Sequence, residues 1–339
     1  MRGPGLVPSL PPELLSHIAS YLQWPEDFPA FLLVNSHFHA IATRTLYHTV
    51  YVNSARAVRL LRSIDVPGDR RHNLITSLTL NFTKNRVLKQ LDLLVQRVLP
   101  HLKKLKALTF EVSSYDSAWR GQAWVFPLDA PFHLRSLTTS ARFSTHLSAF
   151  LESQPEILDL SLRGFATEPF NLDQAALPHL RSFRSVHSSP QVLAQIVTAR
   201  PLKSVSITLI AEDAVNALGS LALSSTPIKR LTILIIDASA PATELFPQLA
   251  ATLPQLEALH IVALVQTYDL DIMHAATPLL AAFPGLRYLT FMASGDPAYD
   301  LGDEAGVATD WATACPSLRT IILPKGKMWF RKEGIWAVS

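Results

Sequence analysis

Apolar residues along this chain recur in one short figure: apolar-x-x-apolar-x-apolar. Clear copies are Ile75-x-x-Leu78-x-Leu80, Leu105-x-x-Leu108-x-Phe110, Ile157-x-x-Leu160-x-Leu162 and Leu202-x-x-Val205-x-Ile207. Four more follow, beginning at Ile228, Leu256, Leu286 and Leu318, and weaker copies begin at Leu134 and Leu180. The starts lie 22 to 32 residues apart. The last two apolar positions are two residues apart, so they fall on one side of a strand. One such strand cannot bury its apolar side alone, but parallel neighbours stacked beside it can. Between the copies the period changes to a helical one. Val87, Leu88, Leu91, Leu94, Val95 and Val98 share a helix face, as do Leu147/Phe150/Leu151, Val192/Leu193/Ile196/Val197 and Val215/Leu218/Leu221/Ala222. Prolines such as Pro100, Pro155, Pro201, Pro227, Pro254, Pro284 and Pro316 end these helices just before the next strand.

The pattern predicts an α/β chain of about ten parallel-strand repeats, and it resembles the leucine-rich repeat over residues 70–325. The asparagine or cysteine that follows the strand in that family is mostly absent, and the repeat length varies by ten residues. The solenoid the resemblance implies is therefore an irregular one. An ordinary α/β sheet with crossover helices is the alternative, although ten strands exceed the usual size of an open sheet.

Residues 10–48 lack the figure and read as three short helices. Leu14, Leu15, Ile18, Tyr21 and Leu22 form the first stripe, with Pro11 and Pro12 suited to its first turn. Phe28, Phe31, Leu32 and Val34 form a second, after the break at Trp24-Pro25. Phe38, Ile41, Ala42 and Leu46 form a third, which Ser36 is placed to cap. The run Leu10-Pro11-Pro12-Glu13-Leu14-Leu15, then Ile18, Tyr21-Leu22, Asp27, Leu33-Val34-Asn35, Phe38 and Ala42-Thr43-Arg44-Thr45-Leu46-Tyr47 resembles an F-box. It is most similar to the F-box that opens many fungal F-box/leucine-rich-repeat proteins. The resemblance implies docking on a Skp1-like adaptor protein within a Skp1–cullin–F-box ubiquitin ligase. Carried over by position, the docking residues are Leu10, Pro11, Leu14, Leu15, Ile18, Leu22, Leu33 and Val34. Pro29 departs from the family, standing where a leucine-rich helix usually continues, and implies a shortened second helix. A solenoid end also needs a cap, which is the other role open to this bundle. The expected division is a helical module at 8–50, repeats at 51–326 and a tail or cap at 327–339, with Thr49-Val50-Tyr51-Val52 reading as an edge strand spliced onto the module.

Charged residues make up only 17% of the chain, against about a quarter in ordinary soluble domains. A membrane protein or a long continuous core has that composition. The most apolar stretches, Leu231–Ile236 and Leu259–Val265, stop far short of the roughly 20 residues of a membrane span. The N-terminus does not read as a secretory signal, and a single cysteine, Cys315, fits an intracellular setting. A net charge of +3 does not call for nucleic acid, but its distribution is uneven. Residues 59–106 hold eleven Lys/Arg and three Asp/Glu, whereas residues 237–310 hold ten Asp/Glu and one Arg.

No nucleophile elbow, phosphate loop, dinucleotide fingerprint or zinc-protease motif is present, so neither an enzyme nor a cofactor is expected. His37 and His39 lie two apart on a helix and point away from each other. Asp269/Asp271 and Asp300/Asp303/Glu304 read as solvated loop acids before cation sites. Trp329 and Trp336, with Lys325, Lys327, Arg331 and Lys332, read as an end cap before a binding patch. The remaining surface is the strand face opposite the core. Asp159, Arg163, Arg184, Arg230, His260 and Tyr288 are its candidates for holding an unidentified protein target, with Ser161, Ser206 and Thr290 beside them. A repeat scaffold without a ligase link, and a hydrolase hidden in an α/β fold, are the competing readings.

Overall fold

The computed structural model describes residues 11–22, 27–83, 90–112, 123–165, 170–187, 189–237, 242–295, 298–332 and 335–338. Leu10, the Trp24-Pro25 break, Val87 and Leu88 lie outside them. The chain divides into two compact units, residues 1–118 with 125–134, and residues 135–339 with 119–124.

The first unit opens with helices α1 (Pro12–Ser20), α2 (Phe28–Leu32) and α3 (Ser36–His48). Pro12 and Glu13 occupy the first turn of α1, where a missing N–H costs nothing and a negative charge meets the positive helix end. At five residues α2 is as short as Pro29 implies, yet the proline sits in its first turn rather than ending it. The cap of α3 is Asn35 and not Ser36. Its side-chain oxygen accepts from the N–H groups of His37 and Phe38 at 3.0 and 2.9 Å.

Helix α3 runs straight into strand β1 (Thr49–Asn53), with no linker between them. Then come α4 (Ser54–Ile64), β2 (Ser77–Phe82), α5 (Gln90–Val98) and β3 (Ala107–Val112). The strands lie parallel and in sequence order, with Val50 opposite Leu78 and Leu78 opposite Leu108. Tyr47 precedes Val50 by three residues, as Ile75 precedes Leu78, so the repeat begins inside the last turn of α3. Arg71 clasps this junction. It donates to the Asp69 carboxylate, to the Tyr47 hydroxyl at 3.1 Å and to the Ser63 carbonyl at the end of α4. The guanidinium holds the Asp69 carboxyl below its ordinary value.

The second unit holds β4 (Ser136–Thr139), α6 (Thr145–Glu152), β5 (Asp159–Leu162), β6 (Ser182–Ser185), α7 (Pro190–Val197) and β7 (Ser204–Leu209). It continues with α8 (Ala214–Leu221), β8 (Arg230–Ile235), α9 (Ala242–Thr252), β9 (Ala258–Ala263) and α10 (Leu270–Leu280). The last elements are β10 (Tyr288–Ala293), α11 (Leu301–Ala314), β11 (Thr320–Ile322), β12 (Met328–Lys332) and β13 (Ile335–Val338). Strands β4 to β11 pair in parallel, each with the next in sequence. A doubly wound sheet reverses its strand order at a switch point; this run has no reversal, which makes it a solenoid of α/β repeats.

Across both units the three apolar positions of every copy, from Ile75 to Leu323, are at most 3% exposed. That includes the two polar substitutes, Thr139 and Ser185, in the weaker copies. Thr139 is accommodated because its hydroxyl accepts the Ala141 N–H at 3.0 Å. The helix stripes are buried as predicted in α5, α6 and α7. In α8 the buried set is Ala214, Ala217, Leu218, Ser220 and Leu221, and Val215 is exposed, one position off the expected stripe. At the end of the solenoid β12 turns antiparallel to β11, and β13 to β12. Trp329 is buried there and its indole N–H reaches the Glu304 carboxylate at 3.3 Å. That carboxylate, fully buried, also accepts the Lys325 backbone N–H at 2.9 Å.

One charged side chain holds the middle of this unit. Arg200, 1% exposed, donates to the carbonyls of Ala176 at 2.8 Å, Thr198 at 3.2 Å, Asp173 at 2.7 Å and Gln195. It thereby satisfies the C-terminal end of α7 and pins the loop before β6. Burial lowers its pKa, with Asp173 opposing. Arg200→Met leaves several buried carbonyls unpaired and is expected to cost about 3 kcal/mol or more, read from urea unfolding. Gly164 is fixed by contact: a Cβ there would stand 1.9 Å from the Ala141 carbonyl oxygen. Gly164→Ala should therefore lower the melting temperature, whereas Gly219→Ala, which meets nothing within 4 Å, should not.

Candidate protein-docking surfaces

Helix α1 is apolar on two sides. Leu15 and Ala19, four apart, turn inward and are buried. Leu14 and Ile18, also four apart, and Tyr21 beyond them turn outward and are about half exposed or more. Leu15 is thus a core residue of the module and not part of an outer docking face, because α1 packs against α3 along that side. Leu22 is partly buried and Pro11 exposed. The connection from α2 to α3 presents Leu33 at 85% exposure and Val34 at 58%. Large apolar side chains in water so close together in sequence are the usual mark of a surface made for another protein.

The solenoid candidates divide by register. Asp159, Arg230 and Tyr288 lie in one cross-strand row, joined through Ser182, Ser204 and Ala258. Arg184 and His260 lie in the next row, with Ser161, Ser206, Thr232 and Thr290. Arg163 follows β5 directly. At about 4.8 Å per strand, Asp159 and Tyr288 are about 24 Å apart, so these residues line an extended face and do not converge on a point. Thr290 is buried, and its hydroxyl meets the His260 Nδ1 at 2.8 Å. Burial first, and Arg230 second, lower the His260 pKa, so this ring is neutral near pH 7.

The acidic pairs have local uses. Asp269 caps α10 by accepting from the Ile272 N–H, and Asp300 caps α11 in a reciprocal box with Asp303. Among the described residues no three His, Cys, Asp or Glu are grouped to hold a metal ion. A depression at the ends of α8 and α9, lined by Leu221, Ser224, Thr226, Ile228, Leu253 and Gln255 among others, presents no acid, imidazole or thiol.

Residues 7–53 match the F-box-like family model. That span covers the three helices of the F-box-like domain and ends with β1. No curated protein matches the chain. Among solved structures, the crystal structure of a TLR13–ssRNA13 complex matches with 12% identity and a TM-score of 0.26, over 77% of this chain and 44% of that one. The chain therefore spans less than half the length of that match. The assignment of repeats rests on strand order and register instead.

A second exposed apolar row escaped the sequence reading. Eight residues after the start of their copies, Ile210, Ile236 and Leu264 directly follow β7, β8 and β9, and Phe165 follows β5 by three residues, each 39% exposed or more. Phe165 stacks on His187 with ring centroids 3.9 Å apart. The signal lies at one fixed offset of the aligned copies, just past the alternating strand positions. On the F-box-like domain, replacing Leu33 and Val34 together by Ser should leave the melting temperature within about 1 °C, since neither is packed, and should reduce self-association in light scattering.

Proposed function

We propose that this protein is a substrate-receptor adaptor of a Skp1–cullin–F-box type ubiquitin ligase. Its F-box-like domain would dock a Skp1-like adaptor protein, and its solenoid would hold a protein target. The carrying observation is that this F-box-like domain keeps Leu14, Ile18, Leu33 and Val34 outside its own core. Such burial is worth roughly 1.5–3 kcal/mol per large side chain, and here it is left for a partner to supply. The target would engage the strand face carrying Asp159, Arg163, Arg184, Arg230, His260 and Tyr288. Such an adaptor makes and breaks no covalent bond; it raises the local concentration of the target beside a catalytic partner.

A repeat scaffold without a ligase link is the second reading. The direct run of α3 into β1 favours it, because the same helices also close the first repeat.

Co-expression with a Skp1-like protein and affinity purification separate the two. The expected result is a stoichiometric complex that Leu14→Asp/Ile18→Asp abolishes while circular dichroism stays native. Leu15→Asp should instead unfold the module. A wild-type chain that folds but recovers no Skp1-like protein at low salt would sink the adaptor reading in favour of the scaffold.

A further inference from the structure

In eight of the ten copies the residue just after the first apolar position gives its carbonyl to two N–H groups of the next copy. Arg181 receives Lys203 and Ser204 at 2.8 and 3.1 Å; Lys203 receives Lys229 and Arg230 at 2.9 and 3.0 Å. This shared acceptor sets Arg181, Lys203 and Lys229 side by side at the N-terminal edge of β6, β7 and β8. On the open face of the same strands, Ser182, Ser204 and Arg230 form one row and Arg184, Ser206 and Thr232 the next. Nine adjacent positions therefore hold five cations and four hydroxyls, with no acid and no apolar side chain. Lys and Arg are 30 of 339 residues, so nine positions taken at random would hold fewer than one.

The charges are accessible. Arg181, Arg184, Lys203 and Arg230 are exposed, and none has an ion pair among the described residues. Lys229 alone is engaged, at 3.1 Å from Glu257 of the next copy. Like charges on strands about 4.8 Å apart repel one another, so the patch is a site of stored electrostatic cost until an anion meets it.

We infer that this patch on β6–β8 binds an acidic segment of a partner protein, rich in Asp and Glu. Patch size and flanks favour a short peptide over nucleic acid. Three strands span about 10 Å, and carboxylates bound the patch on both sides: Asp159 on β5 and Glu257 before β9. A long uniform polyanion would run into them. The patch also has no aromatic side chain on which bases could stack. The inference depends on the solenoid as the target-holding part and is independent of whether the F-box-like domain recruits a ligase.

The test is fluorescence anisotropy of the full chain with a labelled acidic peptide of about twelve Glu and Asp residues, alongside a Gly/Ser peptide and a single-stranded oligonucleotide of equal length. The acidic peptide should bind, and the Gly/Ser peptide should not. Arg181→Glu/Lys203→Glu/Arg230→Glu should weaken acidic-peptide binding about tenfold or more. Arg44→Glu/Arg59→Glu/Arg70→Glu, an equal charge change on the first unit, should change it less than about twofold. Should the first triple variant not fold, Arg184→Gln/Lys203→Gln is read in its place. Equal losses in both triples would reduce the effect to net charge and overturn the assignment. So would an oligonucleotide that binds more tightly than the acidic peptide and loses affinity in the β6–β8 variant. Skp1-like capture, measured on the same variants, should be unchanged, so failure here leaves the adaptor reading to its own test.

Discussion

Strands β1 to β11 are each apolar on one side, and none can bury that side alone. The three-residue figure answers this by stacking: each copy covers its neighbour, and the backbone binds them through a carbonyl that accepts two N–H groups from the following copy. Both halves of the device fall on the same few residues, since the first apolar position is buried directly beside the shared acceptor. Parallel order, sequential pairing and the buried core of each unit all follow from repeating it. Helices occupy most of the return paths, where length is free to vary. The antiparallel pair β12–β13 ends the run, so the stack closes on a strand of opposite direction held by the Trp329–Glu304 contact.

Much of this was legible in the amino-acid sequence, because burial at the figure's positions is dictated by a period of two within the strand and by its recurrence along the chain. Leu78 and Leu80 could hardly point elsewhere. The first copy escaped notice because Tyr47 lies within a helix, where a helical period masks the start of the strand. The α8 stripe moved by one position because alanines, which Ala214 and Ala217 supply, pack inward without announcing themselves in an apolar pattern. Arg200 was invisible for a different reason. A lone arginine reads as surface, and only the folded chain brings four carbonyls around it.

The docking surfaces were legible to a lesser degree. Outer and inner faces of α1 have similar composition, so sequence grouped Leu15 with Leu14, and only packing against α3 separates them. Position within a repeat proved more informative than residue type. The apolar row from Phe165 to Leu264 and the cationic cluster on β6–β8 each occupy fixed offsets in the figure, outside the alternating positions that set burial. The solenoid thus presents different chemistry at its two strand ends, cations at the start and apolar side chains at the finish, with hydroxyls and mixed charge between.

The unequal lengths of the return segments carry a further consequence. From one copy to the next the repeat length changes from 22 to 32 residues, yet the cross-strand pairing never slips. Insertions and deletions are absorbed behind the sheet, while the front keeps a constant graduation of one strand width. The exposed positions therefore behave as a ruler with interchangeable marks. A lineage could rewrite what is recognised at one graduation without moving the others, and could lengthen the back of a repeat without disturbing what the front measures.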